Sequence, residues 1–354
     1  MRRKSVLLDL RDIKTPSHGF GQIAKNYARH FSQLHLEDLR FVFLLPEEYD
    51  EHISEDVECV PFTSDMKHNH RLLPKVDLWH SVNQFQRLQR LDKNTHFILT
   101  IHDLNFLREK NWIRQQKHKF VLNRMIQKTS AVTAISEFVA EEIRTHLKLR
   151  STPLHMIHDA VERIDQKPQE RPGFVSDNPF FFTIGQIRMK KNFHLLLDVM
   201  KSFPNYKLYI CGDDHFEAAK LIKSRIEKEK IDNVILTGKI NDPERFWLYA
   251  HCEAFLFPSQ GEGFGLPPIE AMQFGKAVFV APFTSLPEVT GGHAIVWDNV
   301  QTETMVESIK KILPSFYDDH KRIETMKEYA FSFGYEQHIQ KYVELYRKVL
   351  NDER

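Results

Sequence analysis

Residues 257–288, FPSQGEGFGLPPIEAMQFGKAVFVAPFTSLPE, decide the fold of this chain. An apolar strand is predicted at 254–257, and glycines at 261, 263 and 265 predict a loop after it. Pro267 and Pro268 then predict the first turn of a helix over 269–274, since the N–H that proline lacks would be unpaired there. Gly275 is expected to end this helix in the left-handed conformation, before a second buried strand at 277–281.

A strand, a glycine loop and a helix N-terminus together direct free backbone N–H groups and a positive dipole end at one point. Glu262 lies in the predicted loop and Glu270 in the predicted helix, with seven residues between them. Their carboxylates are too far apart to touch, but both reach a ligand that lies along the helix and carries vicinal hydroxyls. An ordinary βαβ turn with two solvated glutamates fits the same geometry, which leaves both interpretations open.

This stretch resembles the donor-sugar signature of family 4 of the retaining glycosyltransferases, which have the GT-B fold. The matching residues are Glu262, Gly263, Phe264, Gly265, Leu266, Pro267, Glu270, Ala271, Met272, Gly275, Leu286, Pro287 and Glu288. The resemblance implies an α/β protein of two Rossmann-like doubly wound domains that face a cleft, with a C-terminal helix crossing back to the first domain. It also implies that Glu262 is catalytic and holds the donor sugar, that Glu270 holds the ribose, and that Gly263, Phe264, Gly265 and Leu266 bind the donor.

The composition is that of a soluble globular protein, with 42% apolar and 27% charged residues, and 354 residues suit two domains. A formal net charge of +1 argues against a bulk nucleic-acid binder. Three widely separated cysteines favour free thiols in a reducing compartment. No segment reaches the length of a membrane span, and the short apolar run after Met1 predicts a strand rather than a signal peptide. We therefore expect a cytoplasmic protein, either free or peripheral at the inner face of the membrane.

The N-terminal region repeats the order of strand, glycines and helix. A strand is predicted at 6–10, and Gly19, Gly21 and Ala24 nominally fit a dinucleotide fingerprint. The loop before the glycines is too long for that fingerprint, and no acidic residue ends the second strand, which disfavours an NAD-type oxidoreductase. In family 4 this position holds a glycine loop at the donor phosphate, so the resemblance implies donor binding by Gly19 and Gly21. A plain strand-to-helix turn is the alternative.

His102 follows a strand predicted at 96–100, at the carboxyl end where doubly wound sheets bind ligands. Taken alone, a histidine at the end of a strand is more often structural than catalytic. The surrounding residues 100–108 and 134–138 again resemble family 4, and the resemblance implies that His102 is a catalytic residue in contact with the donor sugar near the scissile bond.

Residues 108–128 carry seven lysine or arginine side chains and one acid, with aromatic and aliphatic residues between them. One amphipathic helix of this composition suits an anionic membrane surface, and a solvated helix face is the equal alternative. His68 and His70 lie close in sequence but lack a third ligand, so a polar loop tip is expected there rather than a metal site.

A polar stretch with prolines at 168 and 172 predicts the domain linker at 166–178. It separates an acceptor-side domain, residues 1–168 with the last helix at 337–354, from a nucleotide-sugar domain at 169–336. In family 4 an arginine next to a glycine and a lysine before Asn or Gly hold the donor pyrophosphate. Lys191 fits the lysine and is implied as catalytic. Gln186 replaces the arginine, which leaves two alternatives open: either Arg188, two residues away, binds the donor in its place, or the second cation is missing.

The resemblance implies a metal-independent hexosyltransferase without a cofactor, whose donor is a nucleotide-sugar and whose acceptor is a glycan or lipid-linked glycan. The backbone at Lys239 and Ile240 is implied to meet the nucleotide base. The forms His-Asp-Leu and Ser-Leu-Pro-Glu resemble mannosyltransferases that use GDP-mannose in cell-surface polysaccharide or O-antigen assembly. A UDP-hexose donor, and an inactive nucleotide-sugar-binding relative that lost activity through Gln186, are the alternatives.

Overall fold

The computed structural model describes residues 2–14, 19–49, 51, 53–85 and 94–352, apart from the side chain of His70. The chain forms two compact units, unit 1 from Met1–His158 with Tyr335–Arg354, and unit 2 from Asp159–Gly334. The division lies at residue 158, ahead of the predicted 168, and the chain returns to unit 1 at 335, ahead of the predicted 337. The His70 side chain and residues 353–354 of the predicted last helix lie outside the described residues.

Unit 1 contains the strands β1 (Lys4–Asp9), β2 (Leu39–Pro46), β3 (Glu58–Phe62), β4 (Leu78–Ser81), β5 (His96–Ile101), β6 (Ala131–Ala134) and β7 (Leu154–Met156). They form one parallel sheet in the order β3-β2-β1-β4-β5-β6-β7 among the residues described. Parallel strands are covered on both faces by their crossover helices, which explains why β4, β5 and β6 are buried along nearly their whole length, including their polar residues.

Unit 2, whose residues are all described, contains β8 (Phe180–Ile184), β9 (Lys207–Cys211), β10 (Val234–Gly238), β11 (Ala254–Phe257), β12 (Ala277–Val280) and β13 (Ile295–Val296). This second sheet is also parallel, in the order β10-β9-β8-β11-β12-β13. The predicted strands at 254–257 and 277–281 are confirmed as β11 and β12, and both are fully buried.

The helices of the described chain are α1 (Gly19–Phe31), α2 (Phe106–Glu109), α3 (Trp112–Ile126), α4 (Glu137–His146), α5 (Leu196–Met200), α6 (Glu217–Glu229), α7 (Asp242–His251), α8 (Leu266–Gln273), α9 (Leu286–Val289), α10 (Thr302–Phe316), α11 (His320–Phe331) and α12 (Tyr335–Asn351). Short 3-10 helices cover Arg11–Lys14, Ser64–Lys67, His70–Leu72, Met189–Lys191 and Phe193–Leu195. The C-terminal helix α12 belongs to unit 1, as predicted. Among the described residues, no helix combines the length and the apolar character that crossing a bilayer requires.

Two predicted helices differ from the observed ones. The single helix predicted over 108–128 is two helices, α2 and α3, because the side chain of Asn111 accepts a hydrogen bond from the backbone N–H of Arg114 and starts a new helix. Helix α8 begins at Leu266 rather than at 269. Pro267 and Pro268 are most easily accommodated within a first turn, so the turn must start before them. Gly275 adopts a left-handed φ of 69° after α8, as predicted.

A buried polar cluster ties α12 to the sheet of unit 1. The His80 ring bonds the Tyr346 hydroxyl through Nδ1 and the Thr100 hydroxyl through Nε2, both at 2.7 Å. Burial, with smaller contributions from nearby histidines, lowers the pKa of His80 to about 3, so its ring is neutral at pH 7. We call these side chains the buried histidine cluster, which consists of Tyr27, His80, Thr100, Thr133, His338, Tyr342 and Tyr346.

Candidate functional site

The candidate site lies where the strand order of unit 2 reverses. Strands β8 and β11 are neighbours, while β9 and β12 continue outward on opposite sides. In open parallel sheets, ligands bind beyond the carboxyl ends of the strands at such a reversal. The loops after β8 and β11 are joined there, because the Gln260 N–H donates to the Lys190 carbonyl at 2.8 Å and the Asn192 amide donates to the Pro258 carbonyl at 3.1 Å.

Lys191 and Glu262 form an ion pair between these two loops, with Nζ 2.5 Å from Oε1. Their side chains are only 13% and 12% exposed, so this pair is far less screened by water than a surface pair. Lys191 Nζ also lies 5.2 Å from the centre of the Phe257 ring. The structure therefore brings together two of the sequence-predicted site residues.

The loop that carries Glu262 is held by two hydroxyl side chains from the segment before α9. Thr284 Oγ1 accepts a hydrogen bond from the Glu262 N–H at 3.2 Å, and Thr284 has a left-handed φ of 57°. Ser285 Oγ donates to the carbonyls of Glu262 and Phe264 at 3.2 and 2.9 Å. Sequence reasoning missed the role of Thr284, because a single threonine before a short helix carries no distinctive signal.

Gly265 joins this loop to α8 in a conformation that favours glycine. Its φ is 102°, and a Cβ at this position would lie 2.7 Å from Leu286 Cδ2. The neighbouring Phe264 is buried and packs edge-on against the Phe333 ring. Phe264 therefore anchors the loop in the core of unit 2, so any contact that it makes with a donor must come from its backbone.

Glu270 projects from α8 toward α7. Its Oε1 accepts a hydrogen bond from Arg245 Nη1, and its Oε2 accepts one from the Tyr249 hydroxyl, both at 2.8 Å. Burial alone would lower the pKa of Arg245, but the combined contributions of Glu270, Tyr249 and Asp242 outweigh burial and raise that pKa. Burial, reinforced by the same carboxylate, raises the pKa of Tyr249, so the phenol keeps its proton and remains the donor.

Arg188, expected to bind the donor pyrophosphate, has its side chain stacked on an aromatic ring. Its guanidinium carbon is 4.2 Å from the centre of the Phe216 ring, and its buried Nε has no hydrogen-bond partner among the described residues. An arginine stacked on an aromatic ring is held at a fixed angle with its remaining N–H groups directed elsewhere. Its substitution for the arginine that family 4 has at Gln186 stays a prediction.

Backbone packing fixes the loop that carries Arg188 and Lys191. A Cβ on Gly212 would lie 2.0 Å from the carbonyl oxygen of Gly185, so the turn after β9 touches the turn after β8 directly. The Ile187 N–H continues this contact by donating to the Asp213 carbonyl at 2.9 Å.

Lys239, predicted to lie near the nucleotide base with Ile240, is half-exposed, and its Nζ is 3.4 Å from Asp213. Asp213, Asp214 and His215 place potential metal-ligand atoms within 4.8 Å of one another. Lys223 and Lys239 already pair with these two carboxylates, which offsets the charge that a cation would need. This grouping therefore carries no metal assignment.

The remaining predicted site residues belong to unit 1. His102 is buried at the end of β5, where its Nε2–H donates to the Val82 carbonyl at 2.8 Å and its ring meets Phe20 edge-on at 5.0 Å. Gly19 is the first residue of α1 and has open space where a side chain would be, whereas Gly21 is buried in the helix. His102 is thus rigidly placed between the carboxyl end of β5 and the start of α1.

Comparison with solved structures defines the fold class. Sucrose-phosphate synthase from Thermosynechococcus elongatus superposes with a TM-score of 0.77 at 16% identity, over 98% of this chain and 99% of that one. Anabaena Alr3699/HepE in complex with UDP-glucose gives 0.75 at 16% identity over 98% and 100%. WaaG, a glycosyltransferase involved in lipopolysaccharide biosynthesis, gives 0.69 at 15% identity over 92% and 95%. The chain has the two-domain α/β GT-B fold.

Family models and curated relatives identify the protein family, which the solved structures do not. The model "Glycosyl transferases group 1" matches residues 165–332, and "Glycosyltransferase Family 4" matches residues 60–163. The serotype-specific mannosyltransferase WbdA of Escherichia coli is 26% identical over 232 residues, 60% of this chain and 28% of WbdA. The O-antigen chain mannosyltransferase RfbU of Salmonella typhimurium is 26% identical over 219 residues, 60% of each chain. The chain thus spans less than two thirds of the length of these relatives. On the two family models, it belongs to the family 4 glycosyltransferases of the GT-B fold.

Proposed function

We propose that this protein is a retaining mannosyltransferase that moves mannose from GDP-mannose to a glycan or lipid-linked acceptor in cell-surface polysaccharide or O-antigen synthesis. The observation that carries the proposal is the ion pair of Lys191 and Glu262 at the strand-order reversal of unit 2. A cation and a carboxylate side by side offer one group for a phosphate and one for sugar hydroxyls.

The chemistry requires that negative charge be stabilised on the leaving phosphate while the sugar becomes oxocarbenium-like. Lys191 Nζ carries three N–H donors, of which one bonds Glu262, so the ammonium can keep that contact and still donate to a phosphate oxygen. Such preorganised electrostatic stabilisation is often the largest single contribution to a rate. Glu262 then orients the sugar through its hydroxyls, and no protein nucleophile is assigned.

The identity of the donor rests on the relatives. WbdA, RfbU and the Escherichia coli O-antigen chain mannosyltransferase B, which is 32% identical over 144 residues covering 39% of this chain, are all named as mannosyltransferases. A UDP-hexose is the second candidate, because the structure of HepE was determined with UDP-glucose. An inactive relative that binds nucleotide-sugars is the third, because Gln186 replaces a cation of the family signature.

Release of GDP or UDP from a panel of nucleotide-sugars, measured with and without glycan acceptors, separates these candidates. We expect GDP release from GDP-mannose that depends on acceptor and on Lys191. Turnover only with a UDP-hexose would show that the donor is a UDP-hexose and not GDP-mannose. Tight GDP binding without turnover of any donor would favour the inactive relative, and unchanged turnover in Glu262→Ala would refute the site assignment.

We further propose that α3 rests on an anionic membrane surface, where a lipid-linked acceptor would be located. Trp112, Ile113 and Phe120 on this helix are 70%, 71% and 61% exposed. Ile113, Lys117, Phe120 and Arg124 recur at helical spacing on one side, which combines apolar insertion with attraction to anionic lipid. A solvated helix gains nothing from so many exposed apolar side chains.

Sedimentation with vesicles of mixed zwitterionic and anionic lipid tests this surface. We expect binding that raised salt releases and that Trp112→Ser with Phe120→Ser weakens at least tenfold. Leu221→Ser, at an exposed apolar residue of α6 in unit 2, is the matched control and should bind as the wild type does. Equal binding of zwitterionic and anionic vesicles, or no effect of the α3 substitutions, would refute the membrane contact.

A further inference from the structure

Helix α7 presents two side chains that the signature motif does not include to the carboxylate of Glu270, which belongs to that motif. Arg245 and Tyr249 are four residues apart, so they lie on one face of α7, and each donates to a different oxygen of Glu270 at 2.8 Å. Because both carboxylate oxygens are held, neither rotation about the Glu270 side-chain bonds nor retreat into solvent is open without breaking a hydrogen bond.

We propose that Arg245 and Tyr249 are positioning residues that fix Glu270 for two vicinal hydroxyls of the donor's ribose. This inference rests on the proposed function, which makes a nucleotide-sugar the ligand of unit 2. Arg245 and Tyr249 act through Glu270 and need not touch the donor themselves.

The geometry leaves Glu270 with capacity for a ligand. A carboxylate offers about four lone-pair positions, and the two protein donors use one on each oxygen. One position on each oxygen remains, which matches the two adjacent hydroxyls of a ribose. Glu270 is 13% exposed, so the remaining positions are poorly supplied by bulk water.

Arg245, the cation beside Glu270, is itself held in place by a second carboxylate. Arg245 also contacts Asp242 at 3.0 Å, and its buried Nε lacks a hydrogen-bond partner among the described residues. A guanidinium held from two sides has a fixed position, which prevents the Glu270 carboxylate from turning toward the core. Tyr249, buried and protonated, supplies the second fixed point.

The ratio of the affinities for a ribonucleoside diphosphate and its 2′-deoxy analogue tests this role. A general loss of protein stability would not change this ratio. We expect the wild type to bind GDP about tenfold or more tightly than 2′-deoxy-GDP, as for loss of one hydrogen bond to a charged group. Tyr249→Phe should reduce this preference severalfold, with a smaller loss of affinity for 2′-deoxy-GDP because that nucleotide keeps only the 3′-hydroxyl, and Arg245→Met should reduce the preference further. Arg245→Lys, which keeps the charge, should recover part of the preference.

Tyr209→Phe is the matched control, since Tyr209 is also a buried tyrosine of unit 2 and its hydroxyl bonds Ser176 away from this site. It should keep the full preference. A preference in Tyr249→Phe and Arg245→Met equal to that of the wild type would overturn the positioning role. A wild type that binds both nucleotides equally would overturn it as well, while the proposed transferase activity, measured by donor turnover, would stand separately.

Discussion

The candidate site of unit 2 and the buried histidine cluster of unit 1 are both groups of polar side chains positioned by a parallel sheet. They differ in how much of their hydrogen-bonding capacity is left unused by the protein. Lys191 and Glu262 follow the carboxyl ends of β8 and β11, Glu270 lies in α8, and all three are partly exposed. His80, Thr100 and Tyr346 are buried, and the His80 ring forms direct hydrogen bonds with the hydroxyls of both Thr100 and Tyr346. Remaining hydrogen-bonding capacity at partial exposure is typical of a ligand site, whereas mutual saturation in the core is typical of a structural contact.

The largest expected effect comes from removing the cation of the candidate site. Lys191→Ala should lower transfer by roughly 100- to 1,000-fold, because it removes a preorganised group that stabilises the leaving phosphate. Steady-state rates with a saturating donor measure this effect.

Lys201→Ala is the control for Lys191→Ala. Lys201 also pairs with acidic side chains of unit 2, at Asp198 and Glu229, but half of its side chain is exposed. Its removal should leave transfer within about twofold of the wild type, since exposed pairs contribute little. Equal losses in the two variants would mean that the Lys191 pair acts only through stability.

The second prediction concerns the backbone that supports the site. Gly212→Ala should destabilise unit 2 by about 3 kcal/mol, because its Cβ would overlap the Gly185 carbonyl at a φ of 124°. Gly238→Ala, at a φ of 74° with open space around it, should cost only about 1 kcal/mol. Denaturant unfolding of both variants compares them, and equal costs would show that the contact of the two turns is unimportant.

The third prediction uses the buried histidine cluster. Because the pKa of His80 is about 3 in the folded protein and near 6.5 when unfolded, the unfolded chain takes up a proton first as the pH falls. This contribution to stability is complete above pH 6.5 and is lost progressively below it, by about 2 kcal/mol at pH 5. In His80→Gln, which has no such titration, the fall in stability between pH 8 and pH 5 should be smaller by that amount. An unchanged pH dependence would contradict a neutral, buried His80.

The smallest expected effect is at Tyr342. Its hydroxyl lies 3.1 Å from Thr100 and 3.3 Å from Thr133, while the two threonines bond each other at 2.7 Å. Tyr342→Phe should therefore cost about 1 kcal/mol in denaturant unfolding and leave transfer unchanged. A tenfold loss of transfer would mean that the cluster has a functional role and would remove the distinction drawn between the two regions.

The sequence was informative where local chemistry decides the structure. The apolar run of β11, Gly275 after α8 and the prolines at the start of α8 each predicted a local conformation that is confirmed. The helix start was misplaced by three residues because prolines mark a first turn without marking which of its positions they occupy.

Contacts between distant elements were not predictable in this way. The bonds of Glu270 with Arg245 and Tyr249, and of Thr284 with the Glu262 loop, join residues more than twenty positions apart. The spacing of Arg245 and Tyr249 by about one helical turn indicates only that their side chains lie on the same face of α7. The buried histidine cluster was missed for the same reason, because its members come from α1, three strands and α12.

A structure of the protein crystallised with GDP tests the central claim most directly. The account predicts a phosphate oxygen within hydrogen-bond distance of Lys191 Nζ and ribose hydroxyls on Glu270, with the loops after β8 and β11 in place. Nucleotide bound elsewhere on the chain, with the Lys191–Glu262 pair and Glu270 untouched, would contradict it.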